Sequence, residues 1–384
     1  MNRVLQINER GWAAEESNEW PGPHQEFRVS KESCKSVGDP HPTNQPLVSI
    51  CLPNRNTLPF LRERMDTIFG QKYNNWELIV SDNFSEDGAW EFFEGVARKD
   101  GRVSIMQAPL GMYDGWNDCI RRARGKYIYI ATSDDTMALD CLEKLVAALE
   151  RHPDCDFAHC RVRKIDESSG QFDDDWLRGG LFALSSGPLI DIPHLRMAPF
   201  DALFLLSGRT VYWSIAQLLI RRELFNKIGF FESRWGSVGD FSWQMRACLV
   251  ANSVHVPDTW AGWRIHPGQA TSTVDYCSIE HERRIQEMID HAIEATKSLV
   301  PPATFKRLQR KWSRNARSLR HFLRVIEESP STGSRRLFIL RNLLRGEFAA
   351  AAHVCARIAK RPHWPEAVGK WMSQSGVRRA LVPL

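Results

Sequence analysis

Asp134 and Asp135 stand side by side at the end of the apolar run Tyr127–Ala131. Adjacent carboxylates repel each other and cost stability unless positive charge lies close by. A hard divalent cation, Mn²⁺ or Mg²⁺, supplies that charge, commonly through one or two carboxylates plus substrate phosphates. The plainer reading makes Asp135 or Thr136 the cap of a helix that begins near Ala138. Asp82 and Asn83 close a second apolar run, Trp76–Val80, and offer the acceptors and donors that suit a nucleobase or ribose edge. The same residues, followed by Ser-Glu-Asp-Gly, also read as a turn. Asp240, in SVGDFSWQMRACL, either caps the helix that follows or acts as a general base beside a pocket. His266, before Pro-Gly in WRIHPGQATST, is a candidate ligand for a metal or a phosphate, or a structural histidine.

The elements that must carry these residues follow from hydrophobic spacing. Leu47–Leu52, Trp76–Val80, Val103–Met106, Tyr127–Ala131 and Phe157–Ile165 read as strands. Helical spacing separates them at Leu58–Ile68, Trp90–Ala97, Asp114–Arg124 and Leu139–Leu149. Alternation of this kind predicts an α/β fold, a mostly parallel sheet flanked by helices. In such sheets ligands bind beyond the carboxyl ends of the strands. Pro53-Asn54-Arg55-Asn56, Ser81-Asp82-Asn83 and Ser133-Asp134-Asp135 each follow a strand at once, so all three clusters are expected on one edge. Residues 166–212 are rich in loops and aromatics, too long for a plain connection. The aromatics of residues 171–213, Trp176, Phe182, Phe200, Tyr212 and Trp213, either stack an acceptor sugar or pack as core. The expected organisation is a polar arm over 1–45, a catalytic domain over 46–275, and a basic helical extension over 276–384.

In this order the motifs resemble the family 2 inverting glycosyltransferases of GT-A fold. LVSICLPNRN is similar to that family's opening strand and turn. WELIVSDNFSEDG is similar to its strand ending in Asp-Asp-Gly-Ser. GMYDGWNDCIRRARGKYIYIATSDD resembles the stretch that leads into its DxD motif. QLLIRRELFNKIGFFES with GDFSWQMRA resembles its acceptor-side strand, helix and Glu-Asp segment, and WRIHPGQATS its late Arg-x-His element. The likeness spans about Pro46 to Thr273. It implies a Rossmann-like nucleotide-binding half, a nucleotide-diphosphate sugar as donor, and a glycan or lipid-linked acceptor. By position it implies Pro53, Arg55, Asp82 and Asn83 around the nucleobase. Asp134 becomes the chief ligand of Mn²⁺ or Mg²⁺, with His266 beside it. Asp135 lies near the diphosphate or donor sugar, and Asp240 is the base. Thr132 stands where the family has the first Asp of DxD, Arg55 replaces the turn Tyr, Asn83 the second Asp of the nucleobase pair, and Gly239 the acid before Asp240.

Two other readings compete. A nucleotidyltransferase that makes the sugar nucleotide needs a glycine-rich basic loop after the first strand, and PNRNTLPF lacks those glycines. A catalytically degenerate sugar-nucleotide-binding protein is the alternative that Thr132 and Gly239 leave open. The nine cysteines form no C-x-x-C pair, which argues against a disulfide or zinc framework. No run of 18 apolar residues occurs, and the first residues lack the apolar core of a signal peptide, so a cytoplasmic protein is expected. Residues 281–384 carry 21 Lys and Arg against 8 Asp and Glu. This excess either forms a solvated face or brings the C-terminal helices to the inner face of a membrane. It contains no recognised nucleic-acid-binding motif, so no nucleic-acid partner is expected.

Overall fold

The computed structural model describes residues 45–108, 111–166, 172–173, 190–206, 210–270, 272, 279–307 and 381–384. Residues 1–44 of the polar arm, Trp176, Phe182 and most of the basic C-terminal extension lie outside them.

The first half alternates as its spacing predicts: β1 (Val48–Asn54), α1 (Leu58–Phe69), β2 (Trp76–Asp82), α2 (Ala89–Ala97), β3 (Val103–Gln107), α3 (Met112–Arg122) and β4 (Tyr127–Ile130). Then follow β5 (Thr136–Met137), α4 (Cys141–Arg151), β6 (Phe157–Asp166), β7 (Phe172–Asp173), β8 (His194–Arg196) and α5 (Phe200–Leu205). The last part holds β9 (Leu218–Arg221), α6 (Arg222–Ile228), α7 (Gly239–Val250), β10 (Ser253–Ile265), α8 (Ile279–Ala295), α9 (Pro302–Arg307) and β11 (Leu381–Pro383). Among the described residues the strands form one sheet in the order β11-β8-β10-β6-β9-β4-β1-β2-β3, with β5 on β10 and β7 on β6. β1, β2, β3 and β4 are mutually parallel. β9 runs antiparallel between β4 and β6, and β6 and β10 pair in parallel.

The strands are apolar because both faces are covered. Cys51, Ile79, Ile128 and Ile130 pack into a buried cluster with residues of α3, α5, α6, α7 and α8. α1 buries Leu61, Met65 and Ile68, and α4, which packs on β6 and β10, buries Leu142, Leu145 and Leu149. α7 lies between α5 and α8 and is buried from Ser242 to Leu249. Its first turn is therefore fixed from several sides, and that turn carries Asp240. The stretch from 276 was expected to be helical, but it also contributes β11, which pairs with β8. The reason is the open backbone edge of β8, which a short extended segment satisfies. Among the described residues no helix is long and apolar enough to cross a membrane.

A buried histidine group underlies β6, β8 and β10. His255 Nε2 lies 2.8 Å from the Ile190 carbonyl, which can only accept, so this nitrogen carries the hydrogen. His255 Nδ1 is then free to accept from His159 Nδ1 at 3.3 Å. Burial drives the pKa of His159 well below the ordinary histidine value and that of His255 down to about 3. Both rings are neutral when folded, whereas the unfolded chain takes up protons near pH 6.5. Their stabilising contribution is thus complete above about pH 6.5 and is lost as pH falls toward the folded value. His255→Gln keeps a donor for Ile190 but does not titrate. The stability gap between parent and variant should narrow by about 1.4 kcal/mol per pH unit between about pH 6 and 4. Urea unfolding at several pH values measures this, and a constant gap would contradict it.

Candidate active site

Three of the sequence clusters do converge. β1 and β2 run in register to Asn54 opposite Asp82, and β4 lies on the other side of β1. Asn54 Nδ2 donates to Asp82 Oδ1 at 2.8 Å, and the Asn83 amide donates to the Asn54 carbonyl at 2.8 Å. Asp82 is fully buried and also accepts from the Ser85 hydroxyl at 2.6 Å and the Ser85 amide at 2.9 Å. It ties the ends of two strands to the loop that follows. Pro53 and Asn83 are partly exposed on this edge, and Arg55 is exposed beyond it.

Asp134 and Asp135, although adjacent, have different surroundings. Asp135 is buried, and each of its oxygens is engaged. Oδ2 accepts from Thr132 Oγ1 at 2.5 Å and Ser214 Oγ at 3.1 Å, and Oδ1 from the Arg264 amide at 2.9 Å. Burial, and then the charge of Asp134, push its pKa up to about 7. Inside the protein Asp135 is thus held by three accepted hydrogen bonds, one on Oδ1 and two on Oδ2. Thr132 also finds its reason here. Its hydroxyl donates to Asp135, where an aspartate would add a third carboxylate to a pair that already repels.

Asp134 is partly exposed, and its Oδ2 lies 3.0 Å from His266 Nε2. His266 follows β10, and its ring packs against Phe60 at 4.8 Å between centroids. Sequence reasoning missed the residue that sets this arrangement. Arg264 donates from Nε to the Asp134 carbonyl at 2.9 Å and from Nη2 to Glu63 at 2.6 Å, while its amide holds Asp135. One residue thus joins β10, α1 and the Asp134-Asp135 loop. Its signal was present as the Arg of the Arg-x-His element.

Asp240 opens α7 and is partly exposed. Tyr113 of α3 donates to its Oδ1 at 3.0 Å. Burial nevertheless raises its pKa, against the lowering effect of that hydrogen bond. A carboxylate raised in this way is a better base near neutral pH. The segment before it is anchored by paired bonds, Asn117 Nδ2 to the Phe231 carbonyl at 2.9 Å and the Phe231 amide to Asn117 Oδ1 at 3.1 Å. The aromatic candidates divide. Phe200 and Tyr212 are core residues, 2% exposed, while Trp213 is partly exposed with its ring 6.2 Å from that of Trp263.

Residues 49–228 match the family model described as glycosyl transferase family 2. This part of the chain is a family 2 glycosyltransferase domain. Among its relatives, the protein y4gI of Sinorhizobium fredii is 25% identical over 269 residues, covering 67% of this chain and 27% of that protein. The glycosyltransferase GlyG of Streptococcus pneumoniae is 28% identical over 190 residues, covering 49% of this chain and 61% of that one. The chain thus spans less than two thirds of the length of each of these relatives, 27% of one and 61% of the other. Among solved structures, S. aureus TarS 1-349 superposes with a TM-score of 0.53 at 14% identity, covering 80% of this chain and 81% of that one. Its complex with UDP-GlcNAc gives 0.50 at 15% identity, with 80% and 88% covered. These likenesses establish the GT-A fold. Asp240 and His266 lie beyond the residues that the family 2 model matches.

Proposed function

We propose that this family 2 domain moves a sugar from a nucleotide-diphosphate sugar to an acceptor hydroxyl with inversion at the anomeric carbon. The carrying observation is the Asp134–His266 pair, 3.0 Å apart at the strand-end edge, with Asp240 held on the first turn of α7. A carboxylate oxygen and an imidazole nitrogen suit Mn²⁺ or Mg²⁺, provided that substrate phosphates complete the shell. The described residues contain no group of three or more ligating side chains, so the protein's share would be this pair. A divalent ion bound there would neutralise charge on the departing diphosphate. TarS, which shares the fold, is crystallised with UDP-GlcNAc, which supports a sugar nucleotide at this edge.

The protein's own residues account for the remaining steps. Pro53, Arg55 and Asn83 line the edge where a nucleobase fits, and Asp82 holds that edge in shape from beneath. Asp240 accepts the proton of the acceptor hydroxyl as its oxygen bonds to the anomeric carbon. The bond from that carbon to the diphosphate oxygen breaks with its electron pair on the diphosphate. Attack opposite the leaving group inverts the configuration. The acceptor is a glycan or a lipid-linked glycan, which places the reaction in polysaccharide or glycoconjugate synthesis.

The test is incubation of the protein with UDP- and GDP-linked sugars, Mn²⁺ and simple glycoside acceptors, followed by assay of nucleoside diphosphate. Release that depends on enzyme, and a product of opposite anomeric configuration by NMR, are expected. A retained configuration would remove the inverting mechanism. Binding of a donor without any release would favour the degenerate alternative.

A further inference from the structure

Tyr113 and Gly239 form a matched pair around Asp240. A Cβ placed on Gly239 would lie 2.6 Å from Tyr113 Cε2 and 2.8 Å from the Glu232 carbonyl oxygen. The tyrosine ring therefore occupies the space that a side chain at 239 would take. The ring is 3% exposed and locked by two neighbours: it stacks on Phe231 at 5.9 Å with a 16° interplanar angle, and meets Trp116 edge-on at 4.9 Å. Its hydroxyl lies 3.0 Å from Asp240 Oδ1 and 3.1 Å from the Ser237 carbonyl oxygen.

A phenol has one proton, and a carbonyl and an ionised carboxylate can only accept. When Asp240 is ionised, the stronger acceptor takes that proton. Oδ1 then accepts from Tyr113, and the backbone amides of Asp240 and Phe241 also favour the ionised carboxylate. The neighbouring charged groups are engaged elsewhere. Asp114 of α3 accepts from Ser233 Oγ at 2.6 Å, and Glu232 accepts from Trp235 Nε1 at 2.9 Å and lies 3.0 Å from His291 of α8. Arg246 of α7 donates to the carbonyls of Ile228 and Phe230, and Arg284 of α8 reaches toward Gly236. Among the described residues Tyr113 is the titratable side chain in hydrogen-bond contact with Asp240.

We infer that Tyr113 is a positioning residue for the base: its hydroxyl holds Asp240 Oδ1 and so fixes the carboxylate in place to take the acceptor's proton. The role of Asp240 as base rests on the proposed function, but the Tyr113–Asp240 bond does not. Gly239 is glycine because the ring that delivers the hydroxyl needs its space.

The experiment is a ¹³C NMR titration of aspartate carboxyl groups in the whole protein, with the Asp240 resonance identified by its loss in Asp240→Asn. In Tyr113→Phe the ring and its packing remain and only the donor is lost. Loss of a hydrogen bond to a charged group is expected to raise the Asp240 pKa by about one unit or more. Gly239→Ala, which displaces the ring, should move it in the same direction. An Asp240 pKa that is unchanged or lowered in Tyr113→Phe overturns the inference. In turnover assays the acid limb of kcat/KM should move up with the NMR value, with donor KM unchanged. A shifted carboxyl titration beside an unmoved acid limb would place the fault in the base assignment rather than in the Tyr113 bond.

Discussion

Asp240→Asn should lower kcat by about 10²–10⁴-fold, the usual contribution of a positioned general base. The amide preserves shape and can still accept from Tyr113, so donor binding and folding should be intact. The prediction is specific because Asp240 sits in the first turn of a helix that is buried along most of its length. A carboxylate there is held at one place rather than sampling many, and burial raises its pKa toward the range in which a base is effective. Comparison of steady-state kinetics with a direct binding measurement separates the two effects. Loss of binding along with turnover would make Asp240 part of the donor site instead. Near-parental turnover would remove it from the chemistry.

Asp134→Ala should abolish metal-dependent donor binding and leave the unliganded protein at least as stable as the parent. The two halves come from one electrostatic fact. The charge of Asp134 is among the causes that raise the pKa of buried Asp135, so the pair costs stability while no cation is bound. Removing Asp134 relieves that repulsion and also removes the partner of His266. Ligand present at about 100 times its Kd stabilises a native state by about 2.7 kcal/mol, and the variant should lose that increment. A variant destabilised without ligand would show Asp134 to be structural. One that kept its metal-dependent gain would move the ion elsewhere.

The elements legible in the sequence are strands buried on both faces and helices with one clear buried stripe. β1, β2 and β4 are short apolar runs, and α4 has a clean stripe of Leu142, Leu145 and Leu149. β10 was not legible. It is 13 residues long, but Pro257, Asp258 and Thr259 interrupt it and its pairing shifts register between Val256 and Trp260. Missing β10 meant missing Arg264, because a side chain's value as a clamp depends on which strand end it occupies. At the site, sequence order placed Asp82, Asp134 and Asp135 on one edge because parallel strands must end together. It did not distinguish the partly exposed carboxylate of Asp134 from the buried one of Asp135. Asp134 and Asp135 are adjacent in the chain, yet Asp135 is closed off by Thr132, Ser214 and Arg264, residues up to 129 positions away. Nothing local to Tyr113 marks its role, since its partner Asp240 is 127 residues distant.

On the proposed function, the edge formed by β1, β2, β4 and β10 is a sugar-nucleotide site that would hold its metal and diphosphate at Asp134 and His266. The most direct measurement is thermal unfolding of the whole protein with UDP, GDP and their sugar conjugates, each with and without Mn²⁺. The predicted result is a rise in unfolding temperature for one nucleoside diphosphate class, larger with Mn²⁺ than without, and absent in Asp134→Ala. No rise with any nucleotide in folded protein, or an equal rise in Asp134→Ala, would contradict the claim.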